Sequence, residues 1–194
     1  MTTKHKEQRV GIFVDVQNMY HTAKHLYSAN VNFGKILEVA VEGRKLIRAL
    51  AYVVRSQSVE EEIFFEALYN QGFELKIKDL QVFIGGAKKG DWDVGIAMDI
   101  MRLASKLDVI VLVSGDGDFT ELLKHVKSFG CRTEVIAFAK SASAHLIQEA
   151  DNFIDLSKYK EKFLFIKNRR AIPLNIDNKK IKRSPRIVRK NNGW

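Results

Sequence analysis

A chain of 194 residues, 46% of them apolar, is long enough for one globular domain with a real core and a short appendage. The lone Cys131 excludes an intrachain disulfide framework and a cysteine zinc cluster. The polar start (1–8) has no signal-peptide core, and no apolar run approaches the ~18–20 residues of a bilayer span, so the expectation is a cytoplasmic protein with no membrane partner. The net charge of +9 is unevenly placed: residues 158–194 hold 13 Lys/Arg against Glu161 and Asp177, a net of +11, which leaves residues 1–157 at −2. A slightly acidic body with a strongly basic tail points to a polyanionic partner, most simply nucleic acid.

In chain order, residues 9–14 (Arg-Val-Gly-Ile-Phe-Val) read as a strand ending at Asp15. Helical spacing follows over 18–28 and 33–41, the second stopped by Gly43. Residues 45–55 read as a strand. A helix is predicted over 59–70, with Ser58 as N-cap, Glu61 completing a capping box and Gly72 ending it. Residues 73–82 alternate as a strand, and 84–90 (Ile-Gly-Gly-Ala-Lys-Lys-Gly) read as a loop. Residues 92–105 have helical spacing, with apolar Val94, Ala97, Met98, Met101 and Leu103. The continuous apolar run 109–113 suits a strand covered on both faces of a parallel sheet. A helix over 119–129 ended by Gly130, a strand over 132–138 and a helix over 142–150 complete the pattern. Phe163-Leu-Phe-Ile166 reads as one further short element, and beyond Ala171 the Asn, Lys, Arg and Pro content predicts disorder or folding coupled to binding. Alternating strands and helices imply parallel βαβ units in a three-layer α/β/α sandwich with a mostly parallel central sheet, over 1–157, followed by a basic, partly disordered C-terminal extension over 158–194.

The carboxylates carry the chemistry. Asp15 ends one predicted strand, and Asp116 and Asp118 follow another. In a parallel sheet both ends lie on one edge, where open α/β sheets bind ligands. Asp91, Asp93 and Asp99 surround the helix just upstream. Asp93 and Asp99 are six residues apart, about 600° of helix turn, so they do not share one face; Asp93 in the first turn is the better placed to reach the edge, and Asp99 is an alternate ligand, a supporting group or simply structural. Taken singly, Asp93 and Asp118 are natural helix-start residues and Asp15 suits a turn. Taken together, close like-charge pairs repel by ~4 kcal/mol each at an effective dielectric near 20. A bound cation relieves that strain at neutral pH, and an all-oxygen donor set favours Mg²⁺ or Mn²⁺ over zinc.

Phe13-Val-Asp15-Val-Gln-Asn18, Lys89-Gly90 with Asp93-Val-Gly-Ile-Ala-Met-Asp99, and Val113-Ser-Gly-Asp116-Gly-Asp118-Phe119 together resemble the three motifs of NYN domains, in the PIN-like nuclease superfamily and nearest its LabA-like bacterial branch. The strand and helix at 130–137 and 143–151 fit that family's ending, so the resemblance spans about 9–157. It implies a PIN-like (Rossmannoid) fold and a metal-dependent ribonuclease cutting single-stranded RNA, with Asp15, Asp93, Asp116 and Asp118 as catalytic metal ligands. Asn18 and Ser114 would orient metal waters or phosphate. Trp92 is extra relative to the family's usual spacing between the Lys-Gly pair and the aspartate, which leaves Asp91 as an alternate to Asp93. The rival reading is a non-catalytic RNA- or protein-binding module that keeps the fold, and either reading leaves a homodimer open.

Lys88 and Lys89 precede the Asp93 helix and read equally as phosphate contacts or as a solvated loop. Trp92 reads as a packing residue before a base-stacking one. His21 and His25 have zinc-compatible i, i+4 spacing but no third ligand, and 85–90 lacks the Gly-Lys-Ser/Thr ending of a phosphate loop. A topoisomerase-primase fold would want a glutamate where Asp15 stands, and a haloacid-dehalogenase-like phosphatase an aspartate at Gln17. Removing residues 171–194 is expected to weaken RNA binding and to flatten the plot of log K against log salt by ~0.7 per lost phosphate contact. Filter-binding titrations at several salt concentrations check this, and an unchanged slope would leave the tail without an RNA role.

Overall fold

The computed structural model describes residues 4–56, 58–82 and 88–165. The glycine-rich part of the predicted 84–90 loop and the basic residues from 166 onward lie outside them. The first half runs β1 (Arg9–Asp15), α1 (Val16–Tyr27), β2 (Asn30–Val31), α2 (Phe33–Val41), β3 (Lys45–Arg55), α3 (Val59–Asn70), β4 (Glu74–Asp79), β5 (Gln81–Val82) and β6 (Lys88–Lys89). The second half runs α4 (Asp93–Ala104), β7 (Val109–Val113), α5 (Thr120–Lys127), β8 (Arg132–Ala137), α6 (Ala144–Glu149), β9 (Asn152–Asp155), α7 (Lys160–Phe163) and β10 (Leu164–Phe165).

Six strands form one sheet in the order β4-β3-β1-β7-β8-β9, and every neighbouring pair is parallel. From β1 the chain winds outward through β3 and β4, then returns to β1's other side with β7 and winds outward again. The reversal falls between β1 and β7, which makes their carboxyl ends the switch point where such sheets open a crevice.

Strict alternation builds the three layers. Val10, Ile12 and Val14 of β1, Ala51 of β3 and Val111 of β7 face a layer formed by α1, α2, α3 and α7, where Met19, Ile36, Leu68 and Phe163 pack. Phe13, Tyr52 and Leu112 face the opposite layer, where Ile96 and Ile100 of α4, Leu123 of α5 and Leu146 of α6 pack. Each such Val, Ile, Leu, Met or Phe side chain withdrawn from water contributes ~1.5–3 kcal/mol, and this two-sided demand is why β7 reads Val-Ile-Val-Leu-Val without a polar residue.

The helix starts follow local chemistry. Ser58 and Glu61 form the reciprocal capping box of α3, and Gly72 takes φ +100° just past its end, a conformation that costs glycine nothing. Other expectations need correction. The strand predicted over 73–82 breaks at Leu80, whose N–H is taken by the Arg55 carbonyl at 2.9 Å, so Gln81–Val82 instead pair antiparallel with Lys88–Lys89, which are strand rather than loop. The helix predicted from Phe119 starts as a 3₁₀ turn over Gly117–Phe119 and becomes α-helical at Thr120. The short element expected over 163–166 is present as β10, whose antiparallel pairing with β2 carries Phe163 and Leu164 into the core, whereas β2, β9 and the short α7 lie beyond the predicted elements. No helix among the described residues is long and apolar enough to cross a membrane.

One buried ion pair locks the α2 layer to the sheet. The Arg44 guanidinium donates to both carboxylate oxygens of Glu134, at 3.0 and 2.9 Å, and to the Ala40 carbonyl at 2.7 Å. Both side chains are almost fully withdrawn from solvent. Removing one member strands the other charge in the core, so Glu134→Ala is expected to cost about 3–5 kcal/mol in urea denaturation. The double change Arg44→Met with Glu134→Leu should recover most of that loss. A cost below about 1 kcal/mol for the single change would show that water reaches the pair.

Candidate active site at the sheet's switch point

Asp15 closes β1 and starts α1. It is 8% exposed, and its Oδ1 accepts from the Asn18 N–H at 3.0 Å as the helix N-cap. Its Oδ2 receives a long bond of 3.5 Å from the Ser114 hydroxyl, which lies at the end of β7 with no exposed surface. Ser114 Oγ in turn accepts the Asp116 N–H at 3.2 Å, and Asn18 Oδ1 accepts the Gly115 N–H at 3.1 Å. The ends of β1 and β7, 99 residues apart in sequence, are thus stitched together by side chains as well as by the sheet.

The Gly115–Phe119 turn is held by its own carboxylate. Asp116 Oδ1 accepts the Asp118 N–H at 3.0 Å, capping the 3₁₀ turn. The Gly115 carbonyl accepts the Ser143 N–H at 2.9 Å. A side chain at Gly115 would press its Cβ to 3.1 Å from the Ala142 backbone, a close approach that favours glycine. Asp118 is exposed and, with Thr120, Lys124, Ser143, His145 and Gln148, lines a polar groove between α5 and α6. Sequence reasoning missed that groove, because its residues come from two helices whose neighbourhood no local pattern reveals.

Asp93 occupies the first turn of α4, where the helix dipole favours a carboxylate. Its proton affinity is raised first by burial, then by the charges of Asp116, Asp91 and Asp118. The Asp15 carboxyl is pushed up to about 6, first by burial, with the Asp93 and Asp116 charges adding to it. Asp15, Asp93, Asp116 and Asp118 therefore share one electrostatic neighbourhood, and exposed Asp91 lies at its margin. Their side chains stop short of a closed coordination sphere: among the described residues no three His, Cys, Asp or Glu side chains converge closely enough to hold one ion.

Asp99 points elsewhere. It accepts from the Tyr52 hydroxyl at 3.1 Å and pairs with Lys76 and Arg102, a structural role. Trp92 packs: its Nε1 donates to the Val53 carbonyl at 2.9 Å, its ring lies 5.4 Å from that of Tyr52, and it covers Gly95 so closely that a Cβ there would sit 2.5 Å from it. The tryptophan inserted before Asp93 thus anchors the start of α4. The Lys88 and Lys89 side chains lie outside the described set, although their backbone forms β6, just ahead of α4.

Residues 9–157 match the NYN domain. The chain belongs to the NYN domain family. As a LabA-like NYN protein it falls within the PIN-like nuclease superfamily, whose nucleases generally depend on divalent metals. It is 23% identical over 160 residues to the low amplitude and bright protein LabA of Synechococcus elongatus, covering 78% of this chain and 86% of that protein. It is 29% identical over 154 residues to an uncharacterised protein of Methanocaldococcus jannaschii, covering 78% of this chain but only 57% of that relative's length. The fold matches the crystal structure of a protein of unknown function from Vibrio parahaemolyticus with a TM-score of 0.76 at 32% identity, over 84% of this chain and all of that one.

The raised Asp15 pKa has a stability consequence of defined sign. The folded state holds this proton more tightly than the unfolded chain, so its contribution to stability is largest below about pH 4 and falls as pH rises through about 6. Asp15→Asn in metal-free buffer is therefore expected to be more stable than wild type by up to about 3 kcal/mol at pH 7.5, with the gain gone near pH 4. Urea unfolding at the two pH values checks this, and an equal difference at both would mean that Asp15 ionises without penalty.

Proposed function

We propose that this NYN protein is a divalent-metal-dependent ribonuclease acting on single-stranded RNA at the β1/β7 switch point. One observation carries the reading: beside the larger effect of burial, the Asp93 and Asp116 charges raise the proton affinity of Asp15, and the Asp116, Asp91 and Asp118 charges raise that of Asp93, a repulsion that a hard cation would relieve. The donors are carboxylate oxygens, which suit Mg²⁺ or Mn²⁺. Asp15, Asp93, Asp116 and Asp118 would hold the ion, with Asp91 as the alternate to Asp93. When bound, such an ion polarises a phosphodiester and lowers the pKa of a water for in-line attack.

The chain's own groups do the positioning. Ser114 donates to Asp15 and accepts from the Asp116 amide, which fixes these two carboxylates relative to each other. Asn18 engages Gly115 through its carbonyl oxygen, which directs its amide hydrogens toward a phosphate oxygen. Lys88 and Lys89 complete the reading as phosphate contacts, and the basic residues from 158 onward supply affinity without sequence preference.

A second reading, a non-catalytic binding module, draws on the absence among the described residues of three converging ligands. Cleavage of a labelled single-stranded RNA in Mn²⁺ tests the first. Losing a partner that merely orients a metal ligand costs 10–100-fold, so Asp116→Asn is expected to cost about 100-fold or more. Equal rates in wild type and variant would remove Asp116 from catalysis. Failure of wild type to bind Mn²⁺ at millimolar concentration would favour the module.

A further inference from the structure

The helix that begins at the acidic rim differs in charge from the other helices that start at the same sheet edge. The first turn of α3 carries Glu60, Glu61 and Glu62, that of α4 carries Asp93 and that of α5 carries Glu121. A polyanion reaching the first turn of any of these meets a carboxylate, although α5 ends in Lys124, His125 and Lys127. The sixth helix, Ala-His-Leu-Ile-Gln-Glu, has no Lys or Arg. In contrast, α1 (Val-Gln-Asn-Met-Tyr-His-Thr-Ala-Lys-His-Leu-Tyr) contains no carboxylate at all.

Its buried side is Val16, Met19 and Ala23, which leaves Gln17, Tyr20, His21, Lys24 and His25 together on the other. Four of these are exposed, Tyr20 by 42%. The Tyr20 ring meets His21 edge-on at 5.5 Å, and Lys24 Nζ lies 5.5 Å from its centroid. At the last residue of the helix, Lys160 Nζ sits 4.8 Å over the ring of Tyr27, which is partly buried against Phe138. The first residues of this face adjoin Asn18 and Asp15, and twelve helical residues extend it by about 18 Å.

We propose that this face of α1 is the track along which single-stranded RNA reaches the acidic rim, with Tyr20 stacking an unpaired base and Lys24 and Lys160 meeting the backbone. The proposal rests on the ribonuclease reading for its direction, because the track leads to Asp15 and Asn18. Charge complementarity and an open ring interleaved with cations are the features that bind single strands without a hydrogen-bond code.

Fluorescence anisotropy of a labelled U-rich RNA with the full chain, in buffer containing a chelator, tests the track without cleavage. Tyr20→Ala is expected to weaken binding about ten-fold. Lys24→Ala should lower the slope of log K against log salt by ~0.7. Lys106→Ala, the same charge change on an exposed residue just past the far end of α4, should change neither the affinity by more than about two-fold nor the salt slope by a full contact. Equal binding by Tyr20→Ala, Lys24→Ala and Lys106→Ala, or no RNA binding by wild type, overturns the track. A parallel Mn²⁺ cleavage assay separates the two ideas: cleavage with binding indifferent to α1 removes the track alone, whereas α1-dependent binding without cleavage removes the nuclease reading alone.

Discussion

The architecture turns on the parallel pairing of β1 with β7. Val10 to Val14 lie beside Val109 to Val113 in register, so the two chain segments leave the sheet side by side. The winding reverses there. Because both strands are apolar on both faces, a one-residue slip would carry side chains to the wrong layer, and the register is held by the whole core. Asp15, Ser114 and Asp116 are consequently brought together by the most buried part of the molecule. A buried carboxylate at that place is costly, and its hydrogen bonds from Asn18 and Ser114 offset only part of the cost.

That tension separates scaffold from site. Residues that only stabilise meet their partners fully, as Glu134 meets Arg44 and Asp99 meets Tyr52, Lys76 and Arg102. At the rim, buried Asp15 and half-buried Asp93 lie beside other carboxylates, and both hold their protons more tightly than usual. Local frustration of this kind concentrates where function requires it. The α1 face shows the complementary bias, cationic and aromatic where its neighbours begin with acids.

Much of this was legible from residue order because the signals were local. The α3 boundaries followed from Ser58, Glu61 and Gly72, the bounds of α2 and β3 from apolar periodicity, and β7 from an unbroken apolar run. The motifs around Asp15, Asp93 and Asp116 carried the family. What stayed hidden was short or non-local. β9 offers only Phe153 and Ile154 between polar residues, too little alternation to signal an edge strand, and β2 is a two-residue strand that forms by meeting β10, the short element expected over 163–166. The break at Leu80 depends on a carbonyl of β3. Spacing alone also did not reveal that Trp92 reaches across to Val53, or that the rim aspartates share charge without closing around a point.

The central claim is that distant acids at one sheet edge form a seat for a hard divalent ion. Anomalous diffraction from a crystal soaked in Mn²⁺ tests it most directly. The account predicts a peak within ~2.0–2.2 Å of carboxylate oxygens from both Asp15 and Asp116, with Asp93 or Asp118 turned in to complete the shell. A well-ordered rim without a peak at millimolar Mn²⁺ would contradict it.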